Sequence, residues 1–288
     1  MQPGTPLGNK KPISLPRNSL SILGVAFRGQ AVILSRFPAT CFPLKKYLLL
    51  NRQILFWILV APWRGKGVNV GAVFTQIVRI GVQAVPMVSL TAFSIGLTLA
   101  MQGAAEMSRL GADAYVPDLV VVSLLRELGP LLTAVIVVGR SGSAVTAELG
   151  TMVVAEEIEA LEAMAINPVR FLIVPRFLAL MVMLPALTVF GNYIGMVGGW
   201  SICHFSLHMD TATFIMRGLD RAESVDLWAG VIKSVVFAWL IITIACYQGM
   251  TVRGGAEGVG RHTTYSVVYS LLAVLVANAV VTGLFFFL

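Results

Sequence analysis

Charged side chains are scarce in this sequence. Only 12% of the 288 residues are Asp, Glu, Lys or Arg, while 57% are hydrophobic. A soluble globular domain carries about 25% charged residues, so the composition excludes that class and specifies a polytopic membrane protein. Acids are rarer still at the start. None precedes Glu106, whereas eleven Lys and Arg lie between Lys10 and Arg79. A basic region of this kind is expected on the cytoplasmic face, against anionic lipid. Nucleic-acid binding, the other use of a basic end, has no soluble domain here to support it. Cysteine is limited to Cys41, Cys203 and Cys246 without CxxC spacing, which reads as small apolar residues rather than a disulfide framework or metal site. No GxxxxGK[ST] loop is present to bind ATP, and no GxSxG or HExxH supports hydrolase chemistry. Residues 1–18 hold Pro3, Pro6, Pro12 and Pro16 among basic residues. No compact apolar core with a small-residue cleavage site follows, so no cleavable secretory signal is expected.

What remains is long apolar runs. Residues 1–40 read as a basic, poorly ordered extension, with a weak amphipathic helix over 19–37. Residues 41–85 read as interfacial or elbow helices. Within them, 44–61 is apolar but interrupted by Asn51 and Arg52 and flanked by Lys45, Lys46, Arg64 and Lys66. Trp57 and Trp63 suit the headgroup level, so this stretch is expected to lie along the membrane; a sixth span is the alternative. Residues 86–288 form the transmembrane domain, with five spans expected near 86–105, 117–147, 171–202, 227–250 and 263–287. The loop 203–226 reads as polar. Starting from a cytoplasmic N-terminus, loops 148–170 and 251–262 fall inside and Leu288 outside. The expected fold is all-α.

Three groups of residues stand out. Gly139, Ser143 and Ala147 recur every four positions, as do Gly191, Gly195 and Gly199. This spacing lets helices approach closely, within one subunit or between two copies. Arg126, Glu127 and Lys233 sit inside apolar spans, where charge costs a few kcal/mol and faces a partner or a wet cavity. Glu127 can pair with Lys233 or with Arg126 of a neighbouring helix, either as a static ion pair or as a polar lining for a lipid headgroup. Residues 155–165 carry helix formers without Gly or Pro, and Pro168 stops the helix after Asn167. Ile158, Leu161 and Ala165 share a stripe, with Glu156, Glu157, Glu159 and Glu162 beside it. Such a helix between spans can insert into a groove on a cytosolic partner; its carboxylates argue against lying on anionic lipid. His204 and His208 with Asp210 have helical zinc spacing, but they read better as loop histidines, and no metal site is expected.

The stretches SLLRELGPLLTAVIVVGRSGSAVTAELGTM (123–152) and EALEAMAINPVRFLIVPRFLA (159–179) resemble the MlaE (YrbE) family. The resemblance runs from about Gln76 to the C-terminus, through MQG at 101–103 and IKSVVFA at 232–238. These are permease subunits of Mce-type ABC lipid transporters. The resemblance implies a homodimer bound to two copies of a cytosolic ABC ATPase. It also implies an MCE-domain protein on the far side of the membrane and, in many systems, a small STAS-domain protein. ATP and Mg would bind to the ATPase, leaving this chain without a cofactor or a catalytic role. The implied cargo is phospholipid or related lipid, moved between a bacterial inner membrane and the outer envelope. The family's coupling helix maps onto Glu156 to Asn167, ahead of Pro168, and its buried charges onto Arg126, Glu127 and Lys233. The implied lipid cavity lies at the dimer interface, with Leu99, Met107 and Leu110 as candidates for its wall. The residues by themselves leave two other readings open: an ion-coupled secondary transporter using Glu127, and a membrane-embedded lipid enzyme, for which no nucleophile–base constellation is found.

Overall fold

A computed structural model describes residues 44–59, 69–221 and 224–287. The 1–40 extension, Cys41, Trp63, Arg64, Lys66 and Leu288 lie outside the described residues. Among the described residues every regular element is a helix. In chain order these are α1 (Leu44–Leu59), α2 (Val70–Arg109), α3 (Asp113–Val154) and the short α4 (Glu157–Ala163). They are followed by α5 (Val169–Phe205), α6 (Thr211–Arg221), α7 (Ser224–Met250) and α8 (Gly255–Phe287). Five of them, α2, α3, α5, α7 and α8, are long and apolar enough to cross a membrane.

The helices extend beyond the apolar runs that announce them. The span expected at 86–105 and the mixed helix before it are one helical stretch of 40 residues. It passes through a π-turn at Ile77–Gly81 and a 3-10 turn at Val82–Ala84. Hydropathy marks only the part suited to hydrocarbon, whereas backbone hydrogen bonding carries a helix on into its polar flanks. Proline shapes the long helices. Pro86, Pro117, Pro130 and Pro175 each stand in the first turn of a regular segment that follows an irregular one. There a missing N–H costs least.

The described residues of α1 number 16. One face docks on α7: the Tyr47 hydroxyl lies 2.7 Å from Thr243 Oγ1, and Trp239 Nε1 donates to Asn51 Oδ1 at 3.1 Å. Ile54 is fully buried, while Leu48, Phe56 and Leu59 are exposed. Most of α7 is enclosed by its neighbours, and α8 is exposed along most of its length. The α2 and α5 backbones touch: a Cβ at Gly96 would lie 1.8 Å from the Gly195 carbonyl oxygen. The 203–226 segment, expected as a polar loop, contains α6. Phe214 and Gly218, four apart, are its buried residues, while Asp220 and Arg221 face outward. Burial of that narrow apolar face folds a sequence whose overall polarity reads as loop.

Candidate functional site: a buried charge cluster and an acidic end helix

The cluster begins with a local irregularity. Arg126 and Glu127 lie in a π-turn, Leu124–Leu128, followed by Gly129 and Pro130. Pro130 has no N–H, so the Arg126 carbonyl loses its usual i+4 donor and is left open to another. Lys233 of α7 supplies one. Its Nζ donates to the Arg126 carbonyl at 2.9 Å, to Glu127 Oε1 at 2.6 Å and to Thr282 Oγ1 of α8 at 2.8 Å. An ammonium has three protons, and these three acceptors use all of them. Lys233 is 2% exposed, and burial of a charge on this scale is tolerated only with such complete pairing.

Glu127 joins three spans. Its Oε1 also accepts from Thr282 Oγ1 at 3.0 Å, and its Oε2 accepts from Asn278 Nδ2 at 3.2 Å. Both Glu127 oxygens are thus engaged, by a lysine, a threonine and an asparagine. Arg126 turns elsewhere, pairing through Nε with Asp226 in the first turn of α7. Its side chain is half exposed while Asp226 is buried. The three charged residues expected from sequence thus come together. Asp226, Asn278 and Thr282 complete the cluster and were missed. A chain separation of 100 to 155 residues hides such partners, although Pro130 beside a charged pair is a readable sign of an open carbonyl.

The candidate cavity-wall residues do not line this cluster as one surface. Leu99 and Met107 are partly buried in a separate apolar group around Val120, Leu124 and Phe214. Leu110 is exposed at the C-cap of α2. His204 Nδ1 donates to the Met209 carbonyl at 3.2 Å, and the ring stacks on Trp200. Among the described residues no group of three or more His, Cys, Asp or Glu is arranged to hold a metal.

At the opposite end of the bundle, α4 hangs between α3 and α5. Glu156 and Ala165 adopt left-handed backbone with φ of 60°; these two kinks set the helix apart from both spans. Asn167 Oδ1 accepts from the Arg170 N–H and Pro168 is buried, anchoring the return into α5. One expectation needs correcting here. Ile158 is buried and Leu161 packs on the bundle's own core, so these two residues of the stripe fasten α4 to this chain, while Ala165 faces outward. The outward surface consists of Glu156, Glu157, Glu159 and Glu162 with Met164, Ala165 and Ile166. Hydrophobicity alone could not say which apolar surface the stripe meets. Beneath α4, Glu148 Oε1 bridges Arg79 of α2 at 2.8 Å and Arg176 of α5 at 3.1 Å. Arg176 is itself buried, and Nη1 donates to the Leu172 carbonyl.

Comparisons with known proteins agree with this architecture. The family model described as Permease MlaE matches residues 73–284. A probable ABC transporter permease protein of Rickettsia prowazekii is 37% identical over 214 residues, covering 74% of this chain and 83% of that protein. The intermembrane phospholipid transport system permease protein MlaE of Haemophilus influenzae is 36% identical over 209 residues, 72% of this chain and 80% of its own length. The chloroplastic protein trigalactosyldiacylglycerol 1 of Arabidopsis thaliana is 35% identical over 212 residues, 73% of this chain and 60% of that one. With five membrane-length helices among the described residues and a family match across most of its length, this chain belongs to the MlaE family of multi-pass ABC transporter permeases.

Proposed function

We propose that this chain is the permease subunit of an ABC transporter that moves phospholipid between the bacterial inner membrane and the outer envelope. It works as a homodimer, with its N-terminus and α4 in the cytoplasm. ATP and Mg are held by a separate cytosolic ATPase, which docks on α4. An MCE-domain protein, with a STAS-domain protein where one is used, completes the assembly. The phospholipid assignment is supported by the relative in Haemophilus influenzae, named for intermembrane phospholipid transport.

The observation that carries the reading is the construction of α4. Ile158 fixes it to the bundle while four carboxylates and Met164 point away. A rigidly seated acidic knob receives a push from a partner and passes it inward through the Glu148 bridge to α2 and α5. At the other end the half-exposed Arg126, held by Asp226, offers a cation for a lipid phosphate.

The test is charge reversal on the outward face. Glu159→Arg combined with Glu162→Arg leaves Ile158 in place, so the permease still inserts and folds. Capture of its partner ABC ATPase is expected to fall by tenfold or more, of order 1.4 kcal/mol. Undiminished capture with normal lipid-stimulated ATP hydrolysis would overturn the docking assignment.

A further inference from the structure

Glu148 holds its two arginines on unequal terms. Its Oε1 lies 3.1 Å from Arg176 Nη2 of α5 and 2.8 Å from Arg79 Nη1 of α2. The Arg176 side chain is 3% exposed, the Arg79 side chain 56%. A buried arginine cannot lose its counter-charge without leaving a stranded cation, which is strongly destabilising. An exposed arginine gives up the same contact to water at little cost. Departure of Arg79 still leaves Glu148 paired with Arg176, so no buried charge is orphaned. The α5 half of the bridge is therefore fixed, and the α2 half is releasable.

The construction of α2 matches this asymmetry. Its later part is locked on α5, backbone against backbone. A Cβ at Gly96 would meet the Gly195 carbonyl oxygen, and one at Gly198 would come 2.3 Å from the Phe93 carbonyl oxygen. Its first part is seated loosely. No residue from Val70 to Arg79 is buried; Ala72, Val73, Gln76 and Ile77 are half-buried, and the others are exposed. Gln76 Oε1 is shut off from solvent without a hydrogen-bond partner, a cost that lifting the segment removes. The Asn69 side chain accepts from the Ala72 N–H at 3.3 Å and caps the segment, so its helical turn is self-contained.

Between the two parts lie the π-turn Ile77–Gly81, which carries Arg79, and the 3-10 turn Val82–Ala84. Such interruptions within a helix are where hinges occur. The stretch is pinned in place: Ile80 is buried, its carbonyl accepts from Ser141 Oγ at 2.9 Å, and a Cβ at Gly81 would strike Met183. We propose that the Arg79–Glu148 pair is a releasable latch, and that Val70–Gln76 swings on the Ile77–Ala84 hinge while the rest of α2 stays on α5. A displacement of Glu148 then carries Arg176 and α5 with it and leaves the segment behind. The device belongs to this chain alone and needs no ATPase.

The test uses the full chain in detergent without the ATPase, so that failure of ATPase docking and failure of the latch are read separately. Arg79→Gln is expected to speed amide hydrogen exchange of Val70–Gln76 by about two- to fivefold. Exchange around Gly96 and the thermal midpoint are expected to stay at wild-type values. Arg79→Lys keeps the charge and is expected to exchange like wild type. Added salt screens an exposed pair, so it is expected to speed the same amides in wild type and not in Arg79→Gln. Glu148→Leu strands Arg176 and is expected to lower the thermal midpoint by about 5 °C or more. Unchanged exchange of Val70–Gln76 in Arg79→Gln would overturn the proposal. So would faster exchange along all of α2 with a lowered midpoint, or equal midpoints for Arg79→Gln and Glu148→Leu.

Discussion

Gly191, Gly195 and Gly199 on α5 and Gly139, Ser143 and Ala147 on α3 share a four-residue spacing, and the bundle uses them differently. On α5 the glycines are spent inside the subunit. A Cβ at Gly195 would sit 3.1 Å from Leu124 and 3.3 Å from the Ala92 carbonyl, and one at Gly199 would sit 2.6 Å from Val120. On α3, a Cβ at Gly139 would meet nothing within 4 Å, and Gly139 is exposed with Ser143 and Ala147 half-buried. Small residues at this spacing permit close approach, but permission does not name the neighbour. On α5 the neighbours are α2 and α3, already within the chain. On α3 the stripe faces out of the subunit, while Ala134, Val137, Val145 and Leu149 of the same helix are buried.

The largest expected effect tests what holds α3 in place at its enclosed positions. Glu127→Leu leaves the Lys233 ammonium buried without its counter-charge, and stranding a buried partner costs about 3–5 kcal/mol. Thermal unfolding in detergent should show a sharp drop. Adding Lys233→Met should recover much of it, because apolar replacement of both partners is often neutral. The recovered double variant should still fail to transport lipid in vesicles if the cluster lines the lipid path. Recovery of both stability and transport would make the charges purely structural and remove Arg126, Glu127 and Lys233 from the site.

A second, intermediate effect sharpens the α5 side of the comparison. Gly96→Ala places a methyl against the Gly195 backbone oxygen, a contact that no side-chain rotation relieves. Forcing α2 and α5 apart should cost about 1–3 kcal/mol, as overpacking of a tight core does. A thermal midpoint unchanged by Gly96→Ala would show that this helix pair has slack, and the two stripes would then differ less than their geometry indicates.

How much of this was legible beforehand divides along physical lines. The five spans, the short acidic helix and the three charges within the spans follow from local pattern: hydrophobic length, helix formers between breakers, and charge inside apolar runs. What the pattern could not supply was direction. Ile158 and Leu161 form a readable stripe, but whether it meets a partner or its own bundle depends on the fold around it. Asp226 and Thr282 are ordinary polar residues near helix ends until Lys233 and Arg126 are brought beside them. The α6 helix was legible in its amphipathic spacing and was passed over because the segment as a whole is polar. The glycine stripes fall in the same class, since spacing is local and neighbours are not.

The smallest expected effect on stability falls on the outward stripe, and it is the most informative about assembly. Gly139→Leu adds a side chain where nothing stands within 4 Å. Helix propensity favours Leu over Gly by somewhat less than 1 kcal/mol, so the isolated subunit should unfold no more easily than wild type. In the proposed homodimer the same change matters, because the close approach that Gly139, Ser143 and Ala147 permit would be lost to a bulky side chain. The dimer fraction, measured by light scattering across a dilution series in mild detergent, should fall while the thermal midpoint at monomer concentrations holds. If the dimer fraction is unchanged, the stripe faces lipid or another partner chain, and the exposed face of α8, with Leu272, Val276 and Val280, becomes the surface to test next by the same dilution.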